Sequence, residues 1–182
     1  MDMRIERTRR NIINAFLQLR SRKPLEKITV KELSSLAEIN KATFYLHFHD
    51  IYDLSETLER ECVQTALSSI EHPESIFKNN KLFTKELAEA IFSNERLIVI
   101  LFEGSRSSSF MDLFEKGLKE LISKVHPEYQ ESLEKNIAIT YLTYGGYYAF
   151  MKYHEQGSEE IIKLIGKLSE EIVKLYEDEQ EE

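Results

Sequence analysis

Lys41, Ala42, Thr43, Tyr45 and His47 stand within "NKATFYLHFHD", the stretch from Asn40 to Asp50. Their chemistry is recognition of a surface. A lysine ammonium, a tyrosine hydroxyl and a histidine imidazole can donate hydrogen bonds to anionic oxygens, and an alanine methyl can meet an apolar group. Thr29 offers an amide and a hydroxyl at the start of the preceding helix. Arg4, Arg7, Arg9 and Lys27 add flanking cations along the chain. His47 and His49 stand two apart without a third ligand, a poor arrangement for a metal.

The rest of the chain holds no pattern for bond-making. No glycine-rich phosphate loop, Cys/His metal spacing or G-x-S-x-G elbow occurs. The single cysteine, Cys62, excludes an internal disulfide and reads as a small packed side chain. No enzyme, cofactor or metal is expected. The charged opening "MDMRIERTRR" is not a secretory signal, and the longest uncharged run, residues 136–151, is shorter than the roughly 20 residues a membrane span needs. The expectation is a cytoplasmic protein that does not engage a membrane.

Charge is unevenly placed. Residues 1–50 carry ten Lys/Arg against six Asp/Glu, or +4, and the remaining 14 basic and 26 acidic residues give −12. A basic head on an acidic body can offer one face to a polyanion while the remainder is repelled.

The elements that must position the recognition residues follow from periodicity. Ile5, Ile12, Phe16 and Leu19 recur at helical spacing over Arg4–Arg22, and Pro24 ends that helix. "TVKE" restarts the chain with a capping box, Thr29 with Glu32, for a short helix from Val30 to about Ala37. After "EIN", Asn40 caps a second short helix from Lys41 to about His47, and Asp50 caps a longer one over Ile51–Ile70. Two short helices joined by about three residues form a helix-turn-helix. Ile39 plugs its turn, and Phe44 and Phe48, four apart, face the core.

These residues carry a resemblance. "ITVKELSSLAEINKATFYLHFHDIYDLSETL" resembles the DNA-binding domain of the TetR/AcrR family of transcriptional regulators, over about residues 5–60. The family usually has Gly where this chain has Glu38, Gly or Ser at Ala42, and commonly a lysine at Ile51. The resemblance implies a DNA-reading helix with contacts from Thr29, Asn40, Lys41, Ala42, Thr43, Tyr45 and His47. It also implies a second domain that encloses a small-molecule effector and forms a homodimer. Under it the chain is a repressor on a double-stranded DNA operator, released by an unknown effector. The alternative is an adaptor that keeps the fold but binds a protein partner.

The expected fold is all-α with about nine helices: a three-helix helix-turn-helix domain (1–50), a connecting helix (51–70) and a helical bundle (71–182). The bundle's helices are read at Leu82–Ser93, Glu95–Glu103, Ser108–Val125, Pro127–Tyr153 and Ser158–Asp178. Ile161, Ile165, Leu168, Ile172 and Leu175 follow 4-3-4-3 spacing, a seam fit to meet another helix. The preceding helix has two stripes, a large one (Ile137, Tyr141, Tyr144, Tyr148, Met151) and a small one (Ala138, Leu142, Gly145, Ala149). A helix apolar on nearly all sides must be buried on nearly all sides, so the small stripe and the final seam are expected at a dimer interface. Phe102, Phe114, Tyr141 and Tyr144 are expected to line a cavity for a flat or amphipathic molecule.

Overall fold

The computed structural model describes residues 3–177; the expected helix end at Asp178 lies outside them. Among the described residues every regular element is helical, with nine α-helices, five short 3-10 turns and no strand. The expected all-α class is what the chain forms. It divides into two compact units. The first holds the residues up to Cys62 and Arg96–Phe110, the second Val63–Glu95 and the residues from Met111 onward.

In the first unit, α1 (Met3–Arg20), α2 (Val30–Leu36) and α3 (Lys41–Tyr45) pack in succession, followed by the start of α4 (Ile51–Leu67). Ile12, Phe16, Leu33, Phe44 and Leu54 are fully buried, so the apolar stripe of α1 supplies one wall of this core. Where the sequence reading closes the head at residue 50, here the unit runs into α4 and regains most of α6 (Glu95–Phe102) with the 3-10 turn after it. Buried polar groups fasten this returning segment. The guanidinium of Arg20 donates to the carbonyls of Leu101 at 3.2 Å and Glu103 at 3.3 Å. These are carbonyls that the end of α6 leaves without intrahelical partners, and a cation is favoured there. Glu59 of α4, buried, pairs with Arg106, and Ser105 donates to Glu26.

The second unit packs α5 (Asn80–Ser93), most of α7 (Ser107–Val125), α8 (Leu133–Tyr153) and α9 (Ser158–Glu177). Helices α5 and α9 approach closely at Gly166, where an added Cβ would meet the Lys81 Cα at 3.7 Å. The long helix expected from Pro127 to Tyr153 is in fact broken. Pro127–Tyr129 forms a 3-10 turn, and α8 starts at Leu133. The Asn136 amide holds the break, donating to the carbonyls of Ser132 at 2.9 Å, Gln130 at 3.1 Å and Tyr129 at 3.3 Å. Gly157, at φ 125°, makes the turn into α9.

Candidate nucleic-acid interface and an apolar cavity

Helix α2 is capped by Thr29, whose hydroxyl accepts from the Glu32 amide at 3.3 Å. The expected capping box is half formed, because the Glu32 carboxylate pairs with Lys23 instead of reaching back. The turn after α2 is a Schellman motif. The Ile39 amide donates to the Ser34 carbonyl at 3.0 Å, and the Glu38 amide to that of Ser35 at 3.3 Å. Glu38 itself takes φ 56°, the one positive φ at a non-glycine among the described residues. The motif needs a left-handed residue there, and this chain supplies it without glycine.

Asn40 then starts α3, its side-chain oxygen accepting from the Thr43 amide at 2.8 Å and the Thr43 hydroxyl at 3.1 Å. Asp50 caps α4, accepting from the amides of Tyr52 and Asp53 at 2.8 Å. Asp53 returns the contact by accepting from the His49 amide at 2.8 Å. The Asp53 amide, then the His49 side chain, hold the Asp50 carboxyl below its ordinary range.

Each of the expected recognition residues is exposed or half-buried. Lys41 and Ala42 are exposed, as is Tyr45, whose ring also meets Phe44 edge-on at 5.5 Å. His47 is half-buried beside Phe48. Thr29 and Asn40 are exposed, with their side chains engaged in caps, and Thr43 is half-buried against Asn40. Phe44 and Phe48 are buried as expected. Of the flanking cations, Arg4, Arg7 and Lys27 are exposed, whereas Arg9 pairs with Glu61. Ile51 is buried, so the position joins the core and presents no cation. One exposed residue escaped the sequence reading: Leu46, directly after α3, is 85% exposed.

The second unit encloses a cavity of about 60 Å³ among α5, α7, α8 and α9. Phe83, Phe92, Phe114, Ile139, Phe150 and Ile162 give it apolar walls, and no charged residue among those described lines it. Its polar groups are few: Asn80, Thr84, Thr143, Tyr147 and Ser169. Two of these serve each other, since Asn80 donates to the Ile76 carbonyl at 2.9 Å and accepts from Thr84 at 3.1 Å. Burial pushes the Tyr147 phenol above its ordinary value, so it stays neutral.

Of the four aromatics expected to line a cavity, Phe114 does so. Phe102 lies in the first unit, 5.1 Å from Phe110 edge-on. Tyr141 is 65% exposed on the outer side of α8. Tyr144 donates its hydroxyl to Asp112 at 2.7 Å, a bond that pushes the phenol up to about 12. Besides Leu142 of the small stripe, α8 lines it with a third face, Ile139, Thr143, Gly146, Tyr147 and Phe150, also at three- and four-residue spacing. That signal sits between the two stripes of the sequence reading.

The residues expected at a dimer interface also divide. Ala138 is wholly buried within its own unit and has no surface left for a partner, while Leu142 and Ile165 line the cavity. Ala149, Ile161 and Ile172 are half-buried, Gly145 is exposed and Leu168 is 66% exposed. The large apolar side chains left exposed here include Ile137, Tyr141, Tyr148 and Met151 of the large stripe of α8, and Leu164 and Leu168 of α9. Helix α9 packs against α8 beside Gly146, where an added Cβ would meet Ile165 at 3.4 Å, whereas a Cβ at Gly145 would meet nothing within 4 Å.

Among the described residues no cluster of three or more His, Cys, Asp or Glu could hold a metal, and no helix is long and apolar enough to cross a membrane. Burial pushes the Cys62 thiol up to about 11, so it is not a thiolate at neutral pH. No protein-family model matches the chain, and no curated protein matches it at a significant level.

Proposed function

We propose that this chain is a homodimeric DNA-binding transcriptional regulator of the TetR/AcrR type, a cytoplasmic repressor released from its operator by a small-molecule effector. The observation that carries the reading is α3. A five-residue helix with its start capped, entered through a Schellman turn, presents Lys41, Ala42 and Tyr45 to solvent from a basic head.

In this reading α3 enters the major groove, where Lys41 meets a guanine edge or a phosphate and Ala42 a thymine methyl. Tyr45, His47 and the α2 start at Thr29 hold backbone phosphates and fix the register. A second copy docks on the exposed apolar side chains of α8 and α9, and the two heads read half-sites about 34 Å apart or a multiple of it. The effector is an uncharged molecule that fills the apolar cavity. Helices α4 and α7 each contribute residues to both units, and α7 lines the cavity through Met111 and Phe114. A coupling of about 1–3 kcal/mol through them changes operator affinity roughly 5–150-fold.

A mobility shift with the DNA flanking the chain's own gene tests the reading. A shifted band that Lys41→Ala and Tyr45→Phe both weaken supports it, and no band, or variants that bind like the parent, refutes it. The adaptor reading draws on the buried Ile51 and on the apolar Leu46; it expects no shift and an α3 that serves a protein partner.

A further inference from the structure

The crest of α3 is apolar. Successive helical residues turn by about 100°, so Ala42 and Leu46 each lie about 160° round from Phe44, which is wholly buried. They therefore form the line farthest from the core. Leu46 keeps helical backbone angles (φ −74°, ψ −20°), so the same periodicity reaches it. A single exposed leucine is ordinary. Two apolar side chains along the crest of one short helix, flanked by Lys41, Tyr45 and His47, define what that crest can recognise. It has no donor or acceptor with which to distinguish base edges by hydrogen bonding.

Building on the DNA-binding reading, we infer that Ala42 and Leu46 read thymine by its C5 methyl, and that Leu46 is the main specificity residue of each half-site. The thymine methyl is the one apolar group on the major-groove edges. Cytosine would instead set its amino group against leucine, losing that donor's water with no partner gained. Residues four apart on a helix have Cβ atoms about 5–6 Å apart, and base pairs rise by about 3.4 Å. The pair thus spans at most two base steps. Each half-site carries two thymines, on either strand, one or two steps apart.

The intact protein selecting from random duplex DNA should enrich those two thymines in both halves of a near-palindrome. Deoxyuridine in their place keeps pairing and edge hydrogen bonds and removes only the methyl. The expected loss is about 4-fold for one methyl and about 16-fold for the equivalent pair in both half-sites, from the contribution of one buried carbon group each. Because Leu46 is exposed, Leu46→Ala should melt as the parent does, and its deoxyuridine penalty at that position should shrink to within about twofold. If no sequence is enriched, the DNA-binding reading fails and takes this inference with it. Enrichment without thymine, indifference to deoxyuridine, or an equal penalty in Leu46→Ala overturns the inference alone.

Discussion

Removing Arg106 should damage the first unit far more than removing Arg106 and Glu59 together. Glu59 is 0% exposed, and its carboxylate accepts from Ser55 Oγ at 2.8 Å, from Arg106 Nε at 3.0 Å and from Arg106 Nη2. The bond to Glu59 raises the Arg106 pKa, so the guanidinium is charged at every working pH. Arg106→Met leaves a buried carboxylate with one neutral donor, which costs about 3–5 kcal/mol. Glu59→Gln keeps an acceptor for Arg106, whose side chain is 25% exposed and still reaches water; that change costs about 1–3 kcal/mol. Replacing both, Glu59→Leu with Arg106→Met, removes the charge pair and its desolvation penalty, and stability returns to within about 1 kcal/mol of the parent. Urea unfolding of the parent, Arg106→Met, Glu59→Leu and the double variant completes the cycle. The reasoning is refuted if Arg106→Met costs under about 1 kcal/mol, or if the double variant equals the sum of the two singles.

Glu38→Gly should stabilise the head. Relief of the left-handed backbone (about 1–2 kcal/mol) exceeds glycine's extra chain entropy (about 0.5–1 kcal/mol), raising Tm by about 2–3 °C in a calorimetric scan. His72 should make stability pH-dependent. Its Nδ1 lies 2.6 Å from Glu86, whose carboxylate, with the coulombic attraction that accompanies it, raises the imidazole pKa above its ordinary 6.5. Burial alone would raise the Glu86 carboxyl, but the His72 bonds hold it below its ordinary 4.5. A raised histidine contributes fully below 6.5 and loses its contribution as pH climbs through the folded value; a depressed carboxylate contributes above 4.5 and loses it as pH falls. The Tm gap between parent and His72→Gln should therefore be widest between those values and narrow towards alkaline pH; a gap flat in pH refutes the pairing. Tyr148→Glu or Leu168→Glu should halve the sedimenting mass while the helix content by circular dichroism stays that of the parent, because both side chains are exposed on their own subunit.

The head was legible because its signals are local. Thr29, Asn40 and Asp50 each sit one residue before a helix and cap it, and the short link between α2 and α3 forces a left-handed residue wherever it falls, here Glu38. What the sequence concealed depends on partners far along the chain. Arg20 reads as one more surface cation at the end of α1, yet it is buried against the carbonyls that close α6, 81 and 83 residues away. Arg106, within "GSRSSSF", reads as a loop residue, while its partner Glu59 is indistinguishable by pattern from its acidic neighbours. Periodicity reveals that α8 is apolar all round but not which face meets which neighbour. Tyr141 and Tyr144, expected at the cavity, do not line it, and of the small stripe Ala138 is wholly buried while Gly145 is exposed. Among the cavity residues, Phe114 was found from its spacing and its aromatic type, whereas the Ile139–Phe150 face became visible only once α5 and α9 were in place.

The central proposal, that α3 reads duplex DNA, is tested most directly by the salt dependence of binding. Fluorescence anisotropy of the intact protein on the DNA flanking its gene, from about 50 to 200 mM salt, yields the slope of log affinity against log salt. The account predicts a steep negative slope that Lys41→Ala makes shallower by about 1, the share of one phosphate contact. Binding indifferent to salt, or a slope unchanged in Lys41→Ala, would contradict it.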